Sequence, residues 1–219
     1  MPYQFEWYLV ARHWHALAIG AALTYWVAVA SMALAAALGL ALCLAQRARV
    51  VGAAARAYVQ VMRAVPLYAF LLWLYYGLSV AAGVSLGPVT AGCVALGSIT
   101  AAYMAEIYRA GLRAVGRGQV EAARALGLST IAVYRDVVLP QAVRVILPAA
   151  ANQFVGVLKG AAIVSVVGVP DLMFFANWAS LRYFKPFEFY TVAGVILVGS
   201  TVMVAGGVAL LDRRLRAGS

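Results

Sequence analysis

The feature that most constrains this chain is a long apolar run, residues 17–45, that contains no charged side chain. A helix needs about 20 apolar residues to cross the hydrocarbon core of a bilayer, and this run exceeds that length. The rest of the sequence has the same character, because 65% of all residues are hydrophobic and only 11% are charged. Soluble domains carry about a quarter charged residues. The sequence therefore predicts an integral membrane protein that is embedded in a lipid bilayer.

Four further apolar runs raise the predicted number of membrane-spanning helices to five. The predicted spans are residues 17–45, 57–84, 89–108, 145–169 and 190–211. These runs are far longer than the roughly 10-residue alternating segments of an outer-membrane barrel, so we predict an all-α fold. The fourth run is the least apolar, because it contains a proline, an asparagine, a glutamine and a lysine.

The arginines predict which ends of the spans face the cytoplasm. They cluster after the first, third and fifth spans, whereas the loop at residues 81–88 has no charge. Arginine-rich loops of membrane proteins stay in the cytoplasm. We therefore predict an inner-membrane protein with its N-terminus outside and its C-terminus inside. In this scheme residues 1–16 form a periplasmic interfacial lead-in, residues 17–211 the transmembrane domain, and residues 212–219 a cytoplasmic tail.

The net charge of +10 follows from the same arginines, and we expect no nucleic-acid partner. The two cysteines, Cys43 and Cys93, lie inside apolar runs, which favours buried free thiols over a disulfide or a metal site. The sequence contains no G-x-x-x-x-G-K-[ST] phosphate-binding loop and no paired carboxylates or nucleophile arrangement. We expect neither a cofactor nor enzymatic activity in this chain.

A polar stretch at residues 118–140 interrupts the apolar runs and is patterned as two short helices. Its first residues are good helix formers, and Gly127 can adopt the left-handed conformation that ends a helix. Ser129 or Thr130 can cap a second helix, which Pro140 is expected to stop or kink. The sequence predicts a pair of short helices on the cytoplasmic face.

The spacing inside this stretch resembles the EAA loop of the permease subunits of bacterial ATP-binding-cassette (ABC) importers. The matching residues are Glu121, Ala122, Ala123, Gly127, Leu139 and Pro140. The stretches 102–115 and 164–172 are similar to the branch of that family that takes up polar amino acids. Two other classes are weighed against it. A secondary transporter needs internal repeats, and none is visible. A membrane scaffold leaves the spacing unexplained.

The resemblance implies a type I importer fold in which residues 118–140 couple ATP hydrolysis to transport. In that family the loop docks into a cleft of a separate ATPase. The implied assembly has two ATP-binding subunits, a second permease that is identical or homologous, and a periplasmic substrate-binding protein. The implied function of this chain is the transmembrane permease for a polar amino acid or a related small solute.

Five polar residues in or near the spans are candidates for a substrate path or gate. An ionisable side chain is costly in lipid, so it is expected to face a cavity or a partner. The candidates are Arg63, Glu106, Asn152, Gln153 and Lys159. Each charged candidate has a structural alternative: an anchor at the inner interface for Arg63, a local ion pair with Arg109 for Glu106, and structural pairing or snorkelling for Lys159.

Overall fold

The computed structural model describes residues 3–217, with side chains as far as Leu210, and the elements within that range are helices joined by loops. The helices are α1 (Tyr8–Arg12), α2 (Trp14–Ala45), α3 (Gly52–Ala64), α4 (Leu67–Ala82), α5 (Pro88–Ala114), α6 (Arg117–Ala125), α7 (Thr130–Ala161), α8 (Leu172–Tyr183) and α9 (Pro186–Ala217). Residues 1–2 of the predicted lead-in and residues 218–219 of the predicted tail lie outside this range. The prediction of an all-α membrane protein is confirmed.

Within the described part of the chain, four helices are long and apolar enough to cross a membrane: α2, α5, α7 and the part of α9 up to Leu210. The pair α3 and α4 is the fifth candidate, but it is bent by 109° at the break between the helices. The predicted span at 57–84 thus corresponds to this bent pair of helices. The cause of the bend is Pro66, since a proline disfavours helical conformation in the residue before it. Val65 is accordingly extended, with ψ 127°.

The helix α7 starts earlier and ends earlier than the predicted fourth span. It runs without a break from Thr130 to Ala161 and passes through both Pro140 and Pro148. Pro140 was predicted to stop or kink the second short helix, and the stop is wrong because the helix continues through it. Of the predicted pair, only α6 is a short helix. A π-helical stretch, Val133–Val138, directly precedes the proline. Such a stretch widens the helix locally, which allows the chain to continue where proline lacks an amide hydrogen.

Close contacts through small residues hold α2, α5 and α7 together. A Cβ added to Gly39 of α2 would lie 2.6 Å from the Cβ of Met104 on α5, and one added to Gly97 would lie 2.7 Å from a methyl group of Leu34. Small residues allow membrane helices to approach closely, and van der Waals contact then stabilises the pair. The buried core between these helices is apolar, with Leu158 of α7 among its members.

The helix α8 was not predicted, because its 12 residues are too few to span a bilayer. It begins at Asp171, whose Oδ1 accepts a hydrogen bond from the amide of Phe174 at 2.8 Å. The start of α8 packs directly on α2. A Cβ on Gly20 would lie 2.8 Å from the backbone of Asp171, and the amide of Leu172 donates to Thr24 Oγ1 at 3.2 Å.

The N-terminal segment is tied to the turn between α8 and α9. Glu188 is fully buried there, and it accepts hydrogen bonds from the Tyr3 hydroxyl and from the amide of Glu6, the latter at 2.8 Å. Lys185 forms an ion pair with Glu6 at 2.7 Å. The segment predicted as an interfacial lead-in is thus an ordered part of the fold, which covers the start of α9.

Candidate coupling surface and membrane pocket

The helix α6 ends in a hydrogen-bond pattern that requires a left-handed residue. Gly127 has φ +80°. Its amide donates to the carbonyl of Arg124 at 2.9 Å, and the amide of Leu128 donates to the carbonyl of Ala123 at 3.2 Å. This is a Schellman motif, which supplies donors to two carbonyls at the end of a helix. Gly127 therefore sets the angle at which the chain leaves α6, as the sequence predicts.

The start of α7 is fixed two residues later. Ser129 is the N-cap residue, and its Oγ accepts a hydrogen bond from the amide of Ala132 at 3.3 Å. A side-chain cap of this kind satisfies one of the amides that have no partner within the helix. The end signal of α6 and the start signal of α7 are therefore adjacent, and the link between the two helices has little freedom.

A small apolar core beneath the bend joins α6 to two spans. Its buried members are Val115, Ala123, Val133, Val138 and Ala142. Beside this core α5 and α7 touch at Gly111, where an added Cβ would lie 2.9 Å from Ile146 Cδ1 and 3.2 Å from the carbonyl oxygen of Ala142. Through this core α6 packs against the end of α5 and the first turns of α7.

The outward face of α6 is exposed, basic and partly apolar. Glu121 and Ala122 are exposed, whereas Ala123 faces the small core. Glu121 and three arginines line a shallow concavity of about 720 Å³; the arginines are Arg113, Arg117 and Arg124. None of these arginines forms an ion pair with Glu121 among the described side chains.

Two large apolar side chains stand out from the bend itself. Leu126 is 82% exposed and Ile131 is 79% exposed. Exposed apolar groups beside charged ones are typical of a surface that another protein covers. Leu139 and Pro140, the last residues of the predicted motif, are also exposed. They follow the π-helical stretch of α7 that packs against α6.

A pocket of about 320 Å³ brings three of the five path candidates together at the bend between α3 and α4. Arg63, Glu106 and Gln153 line it, with Tyr103 between them. The Arg63 guanidinium lies over the Tyr103 ring, 5.4 Å from its centroid, and the Tyr103 hydroxyl donates to the Arg63 carbonyl at 3.4 Å. Sequence analysis missed Tyr103, although it precedes Glu106 by three residues and so shares its helix face.

One of the two charged side chains that line this pocket has an ion-pair partner. Glu106 forms an ion pair with Arg109, one turn further along α5. The local ion pair considered for Glu106 therefore exists. It leaves Arg63 as the charged side chain of the pocket without a carboxylate partner among the described side chains.

The other two candidates lie elsewhere. Asn152 and Lys159 are exposed on α7. Lys159 lines a separate groove of about 350 Å³ between the end of α7 and the middle of α9. The other residues of that groove are Leu158, Ala162, Leu197, Val198, Thr201 and Val202. The structure thus does not bring all five candidates into one site.

Comparison with known proteins identifies the family. The family described as "Binding-protein-dependent transport system inner membrane component" matches residues 33–217. The chain belongs to this family. Membership in this permease family implies a multi-pass protein of the inner membrane that works with an ATPase and a substrate-binding protein. The resemblance drawn from the spacing at Glu121–Pro140 is confirmed, and the alternatives of a secondary transporter or a scaffold are not supported.

Two curated relatives cover much of this permease. It is 34% identical over 211 residues to the histidine/lysine/arginine/ornithine transport system permease protein HisQ of Salmonella typhimurium, which covers 91% of this chain and 92% of that one. It is 36% identical over 159 residues to the probable glutamine ABC transporter permease protein GlnM of Bacillus subtilis, which covers 73% of each chain.

Solved structures agree with the fold of this permease. A chain in a crystal structure of an amino acid ABC transporter with histidines has a TM-score of 0.91 and 33% identity, over 97% of this chain and 100% of that one. A chain of the MetNI methionine ABC transporter has a TM-score of 0.64 and 24% identity, over 97% of each chain. The second likeness concerns the fold alone.

Proposed function

We propose that this permease forms the membrane path of an ATP-driven importer for a polar amino acid, and that ATP is hydrolysed by a separate subunit. The observation that carries the proposal is the match over almost the whole chain to a permease from an amino acid ABC transporter. The named relatives carry chemically different amino acids, glutamine in one case and histidine, lysine, arginine or ornithine in another. Amino acids are the substrate class that these relatives share, so the proposal names no individual amino acid.

The complete transporter then contains two permeases, two ATP-binding subunits and a periplasmic substrate-binding protein. The exposed face of α9 supports a second permease, identical or homologous. Val195, Val198 and Met203 are exposed on this helix, and four of its glycines have no neighbour within 4 Å of an added Cβ. Open glycines on a membrane helix leave room for another helix to approach closely.

The coupling role belongs to α6 and the bend at Gly127. The exposed Glu121 and Ala122 would contact the ATPase, and the three arginines beside them would favour an acidic rim on its cleft. Complementary charges at such an interface set orientation and register. The buried Ala123 lets α6 lie close to the small core, and Leu139 and Pro140 extend the same exposed surface along α7.

The substrate path is proposed to pass the pocket lined by Arg63, Glu106 and Gln153. Arg63 offers a guanidinium to an amino-acid carboxylate, and Gln153 offers a neutral hydrogen-bonding group. Asn152 and Lys159 belong to the path only if the second permease closes the groove over α7. An ionisable side chain such as Lys159 on a membrane helix is expected to face a partner or a cavity.

The test is uptake into proteoliposomes that contain the permease, its ATPase and the binding protein. Labelled amino acids are offered one at a time on the side of the binding protein, with ATP on the side of the ATPase. We expect uptake of at least one polar amino acid that requires ATP, and no nucleotide hydrolysis by the permease alone. ATP-independent uptake driven by an ion gradient, or saturable ATP binding by the isolated permease, would overturn the proposal.

A further inference from the structure

A small polar cavity lies where the end of α2 meets α3 and α5. Its volume is about 130 Å³. The lining residues are Gln46, Arg56, Val59, Gln60, Arg63, Glu106 and Arg109. Three guanidinium groups therefore share the cavity with one carboxylate, and that carboxylate is already paired with Arg109. Neither Arg56 nor Arg63 has a carboxylate within 4.0 Å among the described side chains, so the cavity carries an excess of positive charge.

A second observation also points to a missing hydrogen-bond acceptor. The Nε2 atom of Gln46 is buried and has no hydrogen-bond partner among the residues that the structure describes. Buried donors in native proteins are nearly always paired, so each exception requires an explanation. The backbone carbonyl of the same residue accepts a hydrogen bond from Arg56 Nη1 at 3.1 Å. This contact holds Arg56 next to Gln46, and both residues line the cavity.

The size and the location of the cavity restrict the class of ligand that it can bind. Pockets for drug-sized molecules measure about 300–1,000 Å³, so this cavity admits only a small group. Arginine forks pair well with the oxygens of a phosphate. The cavity lies at arginine-rich helix ends, where the positive-inside rule places the cytoplasmic surface and where anionic phospholipids attract basic segments.

We propose that this cavity binds a phosphate group, either in the headgroup of an anionic phospholipid or as a free phosphate anion. The phosphate accepts hydrogen bonds from Arg56, Arg63 and Gln46, and its charge balances the two arginines that lack carboxylate partners. It connects α3 to the ends of α2 and α5 on the inner side of the α3–α4 bend. Since Arg63 also lines the larger pocket, an occupied cavity would hold that side chain at the rim.

The first measurement counts the phospholipids that stay with the intact transporter complex, purified from membranes in mild detergent, by native mass spectrometry. We expect the wild type to retain an anionic phospholipid. Arg56→Gln should retain it roughly tenfold less, because it removes a charge-assisted hydrogen bond. Arg49→Gln is the matched control, since this exposed arginine lies in the turn just before α3 but does not line the cavity. An equal loss of the anionic phospholipid from Arg56→Gln and from Arg49→Gln would overturn the proposed phosphate site.

The second measurement distinguishes the two sources of phosphate and covers the case in which Arg56→Gln does not fold. The delipidated wild-type complex is melted with phosphatidylglycerol, with neutral phosphatidylcholine, or with inorganic phosphate. Stabilisation by phosphatidylglycerol alone assigns the site to a lipid headgroup, and stabilisation by inorganic phosphate assigns it to a free anion. Gln60→Ala, which trims the cavity wall without changing charge, should reduce the stabilisation. No stabilisation by either phosphate source would refute the proposal.

Discussion

At the scale of single residues, Asp171 has the most unusual environment of the side chains outside the spans. It is fully buried at the start of α8, and its Oδ2 atom has no hydrogen-bond partner in the described part of the chain. Burial raises the pKa of this carboxyl to about 6, against the opposing effect of hydrogen bonds from the amides of Phe174 and Met173. The folded protein therefore holds this proton more tightly than the unfolded chain, whose aspartates titrate near pH 3.9.

This pKa shift predicts a pH dependence of stability. Because the folded pKa is raised, the stabilisation from Asp171 is complete below about pH 4 and is lost as the pH rises through about 6. Asp171→Asn keeps an oxygen for the helix cap but cannot ionise. We expect its melting temperature in detergent to fall less between pH 4.5 and 7 than that of the wild type. Asp136→Asn, which removes an exposed carboxylate, is the control. An equal fall in melting temperature between pH 4.5 and 7 for the wild type and Asp171→Asn would contradict this account.

At the scale of elements, we predict that transport depends on the close contact between α5 and α7 at Gly111. Gly111 has no room for a side chain, because Ile146 and the Ala142 carbonyl lie against it. We predict that Gly111→Ala lowers both the melting temperature and the transport rate, since overpacking of a close contact costs about 1–3 kcal/mol. Ile146→Ala removes the obstructing side-chain atoms. The double variant Gly111→Ala/Ile146→Ala should therefore recover both the melting temperature and the transport rate. Gly116→Ala is the matched control, because its added Cβ meets no neighbour within 4 Å.

The rescue is the decisive part of that experiment. If Gly111→Ala and the double variant are equally impaired in melting temperature and in uptake, the fault does not arise from the α5–α7 contact. If Gly111→Ala behaves like the wild type, the two helices have more freedom than the structure shows.

The elements also show what sequence analysis could and could not supply. Apolar length alone predicts α2, α5 and the membrane part of α9, because lipid requires a fixed number of apolar residues. The same rule cannot detect α8, which is short and held by contacts with α2 that are distant in sequence. The missing amide hydrogen of Pro140 predicted a stop or a kink there, but the helix does not stop, since a local π-helical stretch accommodates that proline. The bend at Gly127 was predictable, because only left-handed backbone ends α6 in that way.

The coupling surface and the membrane pocket also differ in how far they could be predicted from the sequence. The coupling surface is contiguous in sequence, so its residues could be recognised by spacing. The pocket at Arg63, Tyr103, Glu106 and Gln153 draws on three helices, α3, α5 and α7, that are separated in sequence. No spacing within one helix contains that information, which explains why Lys159 was grouped with residues that lie in a different groove.

At the scale of the whole molecule, the distribution of arginines fixes a testable orientation. The loop between α4 and α5 has no charge, whereas the turn between α2 and α3 carries arginines. We predict that a reporter inserted at residues 83–87 reads periplasmic, and that reporters inserted at residues 46–51 or fused after Ser219 read cytoplasmic. The same side for the turn at 46–51 and the loop at 83–87 would mean that α3 and α4 do not form a span together.

The central claim is that α6 and its bend pass the work of the ATPase to the spans of an amino-acid importer. The residue that tests it is Gly127, whose φ of +80° is strained for a β-branched side chain by about 1–3 kcal/mol. Gly127→Val should therefore turn α6 away from the ATPase. Gly127→Asn is the control, because asparagine adopts left-handed backbone readily.

The measurement is the number of amino-acid molecules taken up per ATP hydrolysed in proteoliposomes that hold equal amounts of each complex. Glu121→Lys is measured alongside, since it reverses the charge offered to the ATPase at the same surface. The account predicts that uptake per ATP falls roughly tenfold or more, about 1.4 kcal/mol, in Gly127→Val and in Glu121→Lys. Both variant permeases should still insert into the membrane, and Gly127→Asn should have an uptake per ATP near that of the wild type. Wild-type uptake per ATP in both Gly127→Val and Glu121→Lys would contradict it.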